Sequence, residues 1–270
     1  MSNLTVIIPT YNEEKNIETA IDSLRGLALD VHVIDSFSTD RTVEIAKRLG
    51  AKVYQGDWST FSEKINWAAQ NPELETDWVM RLDADEVITE EFRYYLSTNL
   101  DDLDKFDAYA VKRRFKFLGR LFKYGGMNNL WDIRLWKKSC AQMESRPIDE
   151  HIIVNGTVSR LNFEIIDDNQ KNLEQWIAKH NIYSTKEVLI WGDFQTAPYV
   201  GDRSSRIRRW LKNKVYYRIP LFLRPFLFFT YRYIFLLGFL DGRPGLIFHV
   251  LHSFWYRFLV DAKIYEKTIK

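Results

Sequence analysis

The first eighty residues alternate between short apolar runs and amphipathic stretches. Leu4 to Pro9 (LTVIIP) is an unbroken, β-branched run of the kind a strand buried on both faces requires. From Glu14 to Leu24 the apolar positions Ile17, Ala20, Ile21 and Leu24 fall on one helical face. Val31 to Asp35 predicts a second strand, and Thr39 to Leu49 a second helix with Val43, Ala46 and Leu49 inward. Lys52 to Gln55 predicts a third strand, Phe61 to Gln70 a third helix and Asp77 to Asp83 a fourth strand. Strands spaced by helices in this way require right-handed crossovers. The expectation is an open parallel sheet that binds its ligand at the strands' carboxyl ends.

The C-terminal pattern is different. Arg206 to Arg218 places Ile207, Trp210, Leu211 and Val215 on one helical face and Arg208, Arg209, Lys212 and Lys214 on the others. Between Arg206 and Phe258 lie ten basic residues, sixteen aromatics and a single acid, Asp241. This interleaving predicts helices lying in a membrane interface, where each Lys or Arg near an anionic surface contributes about 1 kcal/mol. Ile219 to Leu240 is apolar but is interrupted by Pro220, Arg224, Pro225 and Arg232, so interfacial or re-entrant helices are expected rather than a span. An ordinary helical subdomain or an oligomer interface is the alternative. The polar run Gly201 to Ser205 marks the boundary, giving a catalytic domain over residues 1–205 and a basic aromatic region over 206–270.

Composition narrows the function. The 270 residues are 46% hydrophobic and 27% charged, which is a folding chain rather than a disordered one. A net charge of +2, from 38 basic and 36 acidic residues, argues against general nucleic-acid binding. The lone Cys140 excludes an internal disulfide framework and any CxxC metal or redox motif. Residues Met1 to Glu14 lack a basic n-region and a small-residue cleavage site, so no secretory signal is expected there, and the location expected is cytosolic.

Acidic residues sit where the fold expectation puts chemistry. Asp35 closes the second strand and Asp83-Ala84-Asp85-Glu86 the fourth. On an extended segment an Asp-x-Asp pair aims both carboxylates the same way. Hard oxygen ligands of this kind suit Mg²⁺ or Mn²⁺, which keep positions open for substrate phosphates. Asp-x-Asp-Glu is also a common solvated turn, and its place after a strand, together with Asp35, favours the site.

Three blocks, Val6-Ile7-Ile8-Pro9-Thr10-Tyr11-Asn12-Glu13-Glu14, Asp35 to Thr42 and Leu82-Asp83-Ala84-Asp85-Glu86, stand in the order and spacing of a known family. The chain resembles a family 2 glycosyltransferase, closest to the branch that builds lipopolysaccharide core or exopolysaccharide. The resemblance extends through Gly125-Gly126, Arg134-Leu135-Trp136 and Asp149-Glu150-His151. It implies a GT-A, Rossmann-like α/β fold: a mostly parallel sheet flanked by helices, with a small antiparallel hairpin element and the C-terminal amphipathic helical segment. Pro9, Tyr11 and Glu13 would line a nucleoside pocket, Asp35 would bond the base or ribose, and Asp83 would face the ribose and diphosphate. Asp85 would bind the metal, Mn²⁺ or Mg²⁺. Ser36 stands where the family often has Asp. Ile65 stands where it often has a basic residue, so Lys64 is the neighbour that would supply that contact.

A base for the acceptor must come from another segment. Ile148-Asp149-Glu150-His151 precedes Ile152 to Val158, where Asn155-Gly156 between β-branched runs predicts a hairpin. Glu150 is the family-pattern base, with Asp149 second; solvation of a loop is the plain reading of both. Arg134 would contact a diphosphate or an acceptor phosphate, or form a simple salt bridge. Phe115 to Asn129 is expected to be a mobile acceptor loop. The implied activity is inverting transfer of a sugar, from a UDP-sugar to a lipid-linked saccharide at the cytoplasmic face of the inner membrane. An inactive scaffold of the same fold and a nucleotidyltransferase are the rivals. The latter lacks support, because Pro9 to Glu14 is not a basic, Gly-rich triphosphate loop.

Overall fold

The computed structural model describes residues 4–27, 30–74, 76–128, 130–146, 150–189, 191, 207, 210–212 and 214–269. It divides into two compact units, Met1–Arg113 with Trp131–Gln170, and Arg114–Leu130 with Lys171–Lys270. The boundary expected over 201–205 lies outside the described residues.

The first unit begins with β1 (Leu4–Thr10), α1 (Ile17–Ser23), β2 (Asp30–Asp35), α2 (Thr42–Arg48), β3 (Lys52–Gln55), α3 (Phe61–Gln70) and β4 (Trp78–Arg81). β3, β2, β1 and β4 lie side by side and parallel. Every residue of β1 is buried, and its side chains alternate between two cores. Leu4, Val6 and Ile8 pack into one with Ile17, Ala20 and Ile45, while Ile7 enters the other with Ile65 and Ala68. The apolar run is therefore continuous because both faces of the sheet carry helices.

Helix starts fall later than the apolar pattern predicts. α2 opens at Thr42 rather than Thr39 because the Asp40 carboxylate accepts the Thr42 amide at 3.0 Å and holds the preceding turn. α3 starts where expected, with Thr60 Oγ1 accepting the Glu63 amide at 3.1 Å as its cap.

Beyond β4 the sheet continues in a different sense. Its full order is β3-β2-β1-β4-β8-β6-β11-β5, with β5 (Glu86–Ile88), β6 (Ala108–Phe117), β8 (Leu130–Lys137) and β11 (Val158–Asp168). β8 runs antiparallel to β4, and β11 antiparallel to β5, so the sheet is mixed. α4 (Glu90–Thr98) follows β5. The small antiparallel element is β9 (Ala141–Met143) paired with β10 (Ile152–Val154). It is not built on Asn155-Gly156 as the sequence suggests. Those residues pass the chain from β10 to β11, where Thr157 donates its amide and hydroxyl to the Asp107 carboxylate, each at 2.8 Å. Gly156 lies so close to that carboxylate that a Cβ would collide with it.

The second unit contains β7 (Arg120–Leu121), which pairs back on the end of β6 through a two-residue turn. Leu118 and Gly119 in that turn both have positive φ, +47° and +76°. The helices are α5 (Leu173–Leu189), α6 (Leu223–Thr230), α7 (Gly242–Phe248) and α8 (Tyr256–Ile269), with π-helical turns at Tyr231–Phe235 and His249–Trp255. The expected acceptor loop is tied down here. Lys123 and Tyr124 amides donate to the Asp241 carboxylate at 3.1 and 3.0 Å, and Arg232 Nε donates to the Gly125 carbonyl at 2.7 Å. Gly125, at φ +65°, leaves room for the His249 imidazole that any side chain would strike.

Candidate functional site

Parallel pairing delivers three chain segments to one edge of the first unit. Thr10 stands opposite Asp35 and Ile7 opposite Arg81, so residues 10–13, 35–38 and 82–85 all leave the sheet at its carboxyl end. Asp35 is wholly buried. Its Oδ1 accepts from Thr10 Oγ1 at 2.8 Å and from Ser38 Oγ, and its Oδ2 accepts the Ser38 amide at 2.8 Å and Gln55 Nε2 at 3.0 Å. The carboxylate thus fastens β1, β3 and its own loop. Asn12 and Phe37 both adopt φ +54°, an uncommon conformation for a bulky residue such as Phe37. The two loops are stitched where they meet: the Asn12 amide donates to Ser38 Oγ at 2.8 Å and the Glu13 amide to Thr42 Oγ1 at 2.7 Å.

Of the residues expected at a nucleoside pocket, Pro9 is buried in β1, Tyr11 is 58% exposed and Glu13 is half-buried. Lys64 reaches in from α3, 5% exposed, and donates from Nζ to the Thr10 carbonyl at 2.6 Å. Burial pulls its pKa down to about 8, against the opposing pull of Asp35 and Glu13. Pro9, Glu13, Asp35 and Lys64 therefore form one neighbourhood.

Asp83-Ala84-Asp85 is a turn, closed by the Glu86 amide donating to the Asp83 carbonyl at 2.9 Å, and not the extended segment the sequence suggested. The two carboxylates consequently have different surroundings. Asp83 faces Arg81 Nε at 3.1 Å and Arg134 Nη1 at 3.4 Å. Arg134 also pairs with Glu86, whose Oε2 accepts the Asp83 amide at 3.0 Å. Burial by itself would raise the pKa of Asp83, but Arg81 and Arg134 outweigh it and hold the group down at about 2. Glu86, almost wholly enclosed, is pushed up to about 7 by burial despite Arg134. Arg113 on β6 extends the buried charges by pairing with Asp132 at 3.2 Å and Asp167 at 3.8 Å. Arg134 is fully buried and takes the salt-bridge alternative of its two sequence readings; it positions Asp83 rather than opening toward a phosphate.

Asp85 turns toward the end of β11. Its Oδ2 accepts from Asn169 Nδ2 at 2.8 Å, and its carbonyl accepts the Asp168 amide at 2.8 Å. Next in the chain, the Gln170 amide donates to Asn16 Oδ1 at 2.8 Å, and Asn16 Nδ2 donates to Glu13 Oε2 at 2.7 Å. The turn bearing Asp85 is thereby connected to Glu13 beyond the end of β1. Among the described residues no three His, Cys, Asp or Glu side chains are grouped to hold a metal ion. Mg²⁺ and Mn²⁺ are commonly bound through one or two carboxylates plus substrate phosphates. With Asp83 committed to two guanidinium groups and Asp85 at the turn, the donor set fits an ion shared with a diphosphate and does not fit one held by protein alone.

Glu150 lies just before β10, the second strand of the small sheet, next to His151, whose amide donates to Glu144 Oε1 at 2.9 Å. That sheet hangs on α3: Asn66 donates to the Met143 carbonyl at 2.9 Å and accepts the Met143 amide at 2.7 Å. One helix thus carries Lys64 to the end of β1 and Asn66 to the sheet beside Glu150. Asp149 lies outside the described residues. Asn66, Asn169, Gln55 and Thr10 were missed as site-building residues. Each works through side-chain bonds to residues distant in sequence, and no local pattern marks such bonds.

Comparisons with known proteins bear on the family and the fold. A model of Glycosyl transferase family 2 matches residues 5–156, more than half the chain. An uncharacterised glycosyltransferase of Rickettsia typhi (strain ATCC VR-144 / Wilmington) is 28% identical over 285 residues, spanning 100% of this chain and 89% of the relative. One from Rickettsia bellii (strain RML369-C) is 30% identical over 203 residues, 68% of this chain and 66% of the relative. Among solved structures, the mannosyltransferase PcManGT from Pyrobaculum calidifontis, in complex with GDP-Man and Mn²⁺, superposes with a TM-score of 0.53 at 14% identity over 99% of this chain and 86% of that one. S. aureus TarS 1–349 gives 0.50 at 15% identity over 98% and 91%. At such identities the likeness establishes a shared GT-A-like fold. The match across residues 5–156 goes further: this chain belongs to glycosyl transferase family 2.

Proposed function

We propose that the chain is an inverting, metal-dependent glycosyltransferase that moves one sugar, a hexose, from a UDP-sugar to a lipid-linked glycan. The glycan would be lipopolysaccharide core or an undecaprenyl-linked oligosaccharide, met at the cytoplasmic face of the inner membrane. The observation that carries the reading is the gathering of Asp35, Glu13, Asp83 and Asp85 at the carboxyl edge of one sheet, with Asp85 tied to Glu13 through residues 168–170 and Asn16. PcManGT, which shares the fold, holds GDP-Man with Mn²⁺; a nucleotide-sugar donor and a divalent ion are taken for this chain from that likeness and from its own oxygen donors, and the uridine from the family resemblance.

Tyr11 offers an exposed ring and Glu13 a carboxylate to the nucleoside, and Pro9 shapes the floor beneath them. Asp35 reaches a base or ribose by releasing one of its four protein donors, of which the Gln55 amide is the longest. Asp83, kept ionised by Arg81 and Arg134, faces the ribose and diphosphate, and Lys64 adds positive charge beside them. Asp85 would hold the divalent ion, which when bound neutralises charge gathering on the departing diphosphate. Glu150 accepts the acceptor hydroxyl's proton as that oxygen bonds to the anomeric carbon. The bond from that carbon to the phosphate oxygen breaks on the opposite face, which inverts the centre. Asp149 is the second candidate for the base.

The test is transfer from a panel of UDP- and GDP-sugars with Mn²⁺ or Mg²⁺, the product anomer being read by NMR. Inverted product from a UDP-sugar supports the reading. Retained configuration, or turnover without a divalent ion, overturns it.

A further inference from the structure

From Ile219 to Asp241 the second unit has its polarity reversed. The three charged residues of that stretch, Arg224, Arg232 and Asp241, are 0%, 8% and 1% exposed. Each is occupied inside the unit: Arg224 Nε donates to Asp261 Oδ1 at 2.7 Å, Arg232 to the Gly125 carbonyl, and Asp241 accepts the Lys123 and Tyr124 amides. The surface is left to apolar side chains, with Phe226, Leu227, Ile234, Phe235, Phe239 and Leu240 between 42% and 73% exposed. Single exposed apolar residues need no explanation, but a stretch in which every charge is enclosed and six large apolar side chains are exposed does.

We propose that this face inserts into the interfacial layer of a phospholipid bilayer, and that apolar insertion rather than charge attraction supplies most of the binding. The proposal deepens the reading of a membrane-presented acceptor and rests on it. It also changes how the basic aromatic tail acts. Arg224 and Arg232, expected among lipid headgroups, are internal struts whose burial turns their aromatic and aliphatic neighbours outward.

The charges around the face select its occupant. The exposed charges that flank this stretch in the sequence, Lys214, Arg218 and Arg243, are all basic, while Asp241 and Asp261, the only acids between residues 207 and 265, are buried. A second copy of the same face would bring like charges together, whereas an anionic bilayer surface complements them. Among the described residues no single helix is long and apolar enough to cross a membrane. Leu223–Phe235 and Gly238–Ile269 meet instead at a 69° bend, a shape suited to a shallow wedge. Ile207, Trp210, Leu211 and Val215 are each about half-exposed and continue the apolar character.

The experiment is flotation of the full chain with vesicles of phosphatidylcholine alone and of phosphatidylcholine with phosphatidylglycerol. It is run from about 0.1 M to about 1 M salt, which shortens the screening length from about 10 Å to about 3 Å. The chain is expected on both vesicles and to remain bound in high salt. The double variant Phe226→Ser/Phe235→Ser is expected to partition at least about tenfold less, with unchanged melting temperature. Should the double variant melt early, Phe235→Ser alone, at 73% exposure, carries the test. Binding that needs phosphatidylglycerol or vanishes in high salt overturns the proposal in favour of headgroup attraction. A wild-type dimer by light scattering that the variant splits, without vesicle binding, overturns it in favour of a second copy. UDP-sugar hydrolysis is read alongside. Its absence with vesicle binding intact strikes the functional reading and leaves the inserted face standing, whereas hydrolysis without vesicle binding does the reverse.

Discussion

At the strand ends of the first unit Asp83 keeps one side toward solvent, whereas in the helices of the second unit Glu187, Arg224 and Asp261 are enclosed. Asp83 has a side chain 25% exposed and two guanidinium partners. Glu187 has one 3% exposed, and it accepts from Tyr217, Tyr256 and Arg257 at 2.7 to 3.2 Å with Lys212 at 3.0 Å. Arg224 and Asp261 are sealed entirely. The same residue types therefore do two kinds of work. A carboxylate with an open side is available to a ligand, while an enclosed one fixes how helices pack and thereby decides which side chains face out.

This contrast breaks first if activity and stability do not separate in the first unit. Glu150→Gln is expected to lower transfer by about 10²–10⁴-fold, the usual contribution of a positioned base. Donor binding and melting temperature should stay near wild type, since the two-stranded sheet beside Glu150 is held to α3 through Asn66. Steady-state transfer kinetics beside a thermal melt make the comparison. Near-normal turnover would move the role to Asp149, and a lowered melting temperature would make Glu150 structural.

In the second unit the order of effects reverses. Burial alone would raise the pKa of Glu187, but Lys212, Arg257 and two tyrosine hydroxyls hold it well below the usual carboxylate range. A depressed acid contributes stability that is present above its unfolded value and lost as pH falls through the acid range below about 4.5. Glu187→Gln strands the buried Arg257 guanidinium and should cost about 3–5 kcal/mol, read by urea denaturation at neutral pH. The loss should shrink as pH is lowered, because the wild type then protonates toward the variant.

Lys64 offers a contrasting case inside the first unit: a charge enclosed at the edge of an open site. Its pKa falls from 10.5 to about 8 through burial. Between those values the unfolded chain holds a proton the folded chain has released, so stability should rise with pH across that window. The rise is on the order of 3 kcal/mol if the full shift is realised. Lys64→Met should flatten this slope in denaturation curves recorded from about pH 7.5 to 10. The slope is the readout, because the variant also leaves the Thr10 carbonyl without its donor. An unchanged slope would mean that Lys64 is better solvated than its 5% exposure implies.

How far the sequence could be read follows from the same contrast. β1, β3 and α3 were legible because apolar periodicity there agrees with burial: the alternating Leu4, Val6, Ile8 against Ile7 is written directly in the run. The antiparallel half was not. β6 contains Lys112 to Lys116, which resembles a solvated loop until Arg113 finds Asp132 and Asp167 on other strands. α5 was hidden in the same way, its buried face holding Ser184 and Glu187 between apolar residues. At the site, Asp35 and the Asp83–Asp85 turn were visible as strand-end acids. Asn169 and Asn66 became visible only when β11 and β9 were placed. In the tail, the interleaving of arginines and aromatics suggested that both meet a headgroup layer, whereas Arg224 and Arg232 are buried and Phe226 and Phe235 are exposed.

The finest test of the contrast is an ion pair that ought to matter little. Arg48 Nη2 meets Glu18 Oε1 at 3.0 Å on the surface of the first unit, between α2 and α1, with side chains 59% and 53% exposed. Its distance differs little from that of Arg257 to Glu187, also 3.0 Å, so distance alone would rank the two equal. Water decides otherwise. Exposed partners keep their hydration and lose side-chain freedom on pairing, so such a bridge contributes about 0–1 kcal/mol and is screened by salt. Arg48→Ala should therefore shift the urea midpoint within the low end of that range, and the shift should disappear in high salt. A loss as large as that expected for Glu187→Gln would mean that geometry, and not enclosure, sets the worth of charge in this protein.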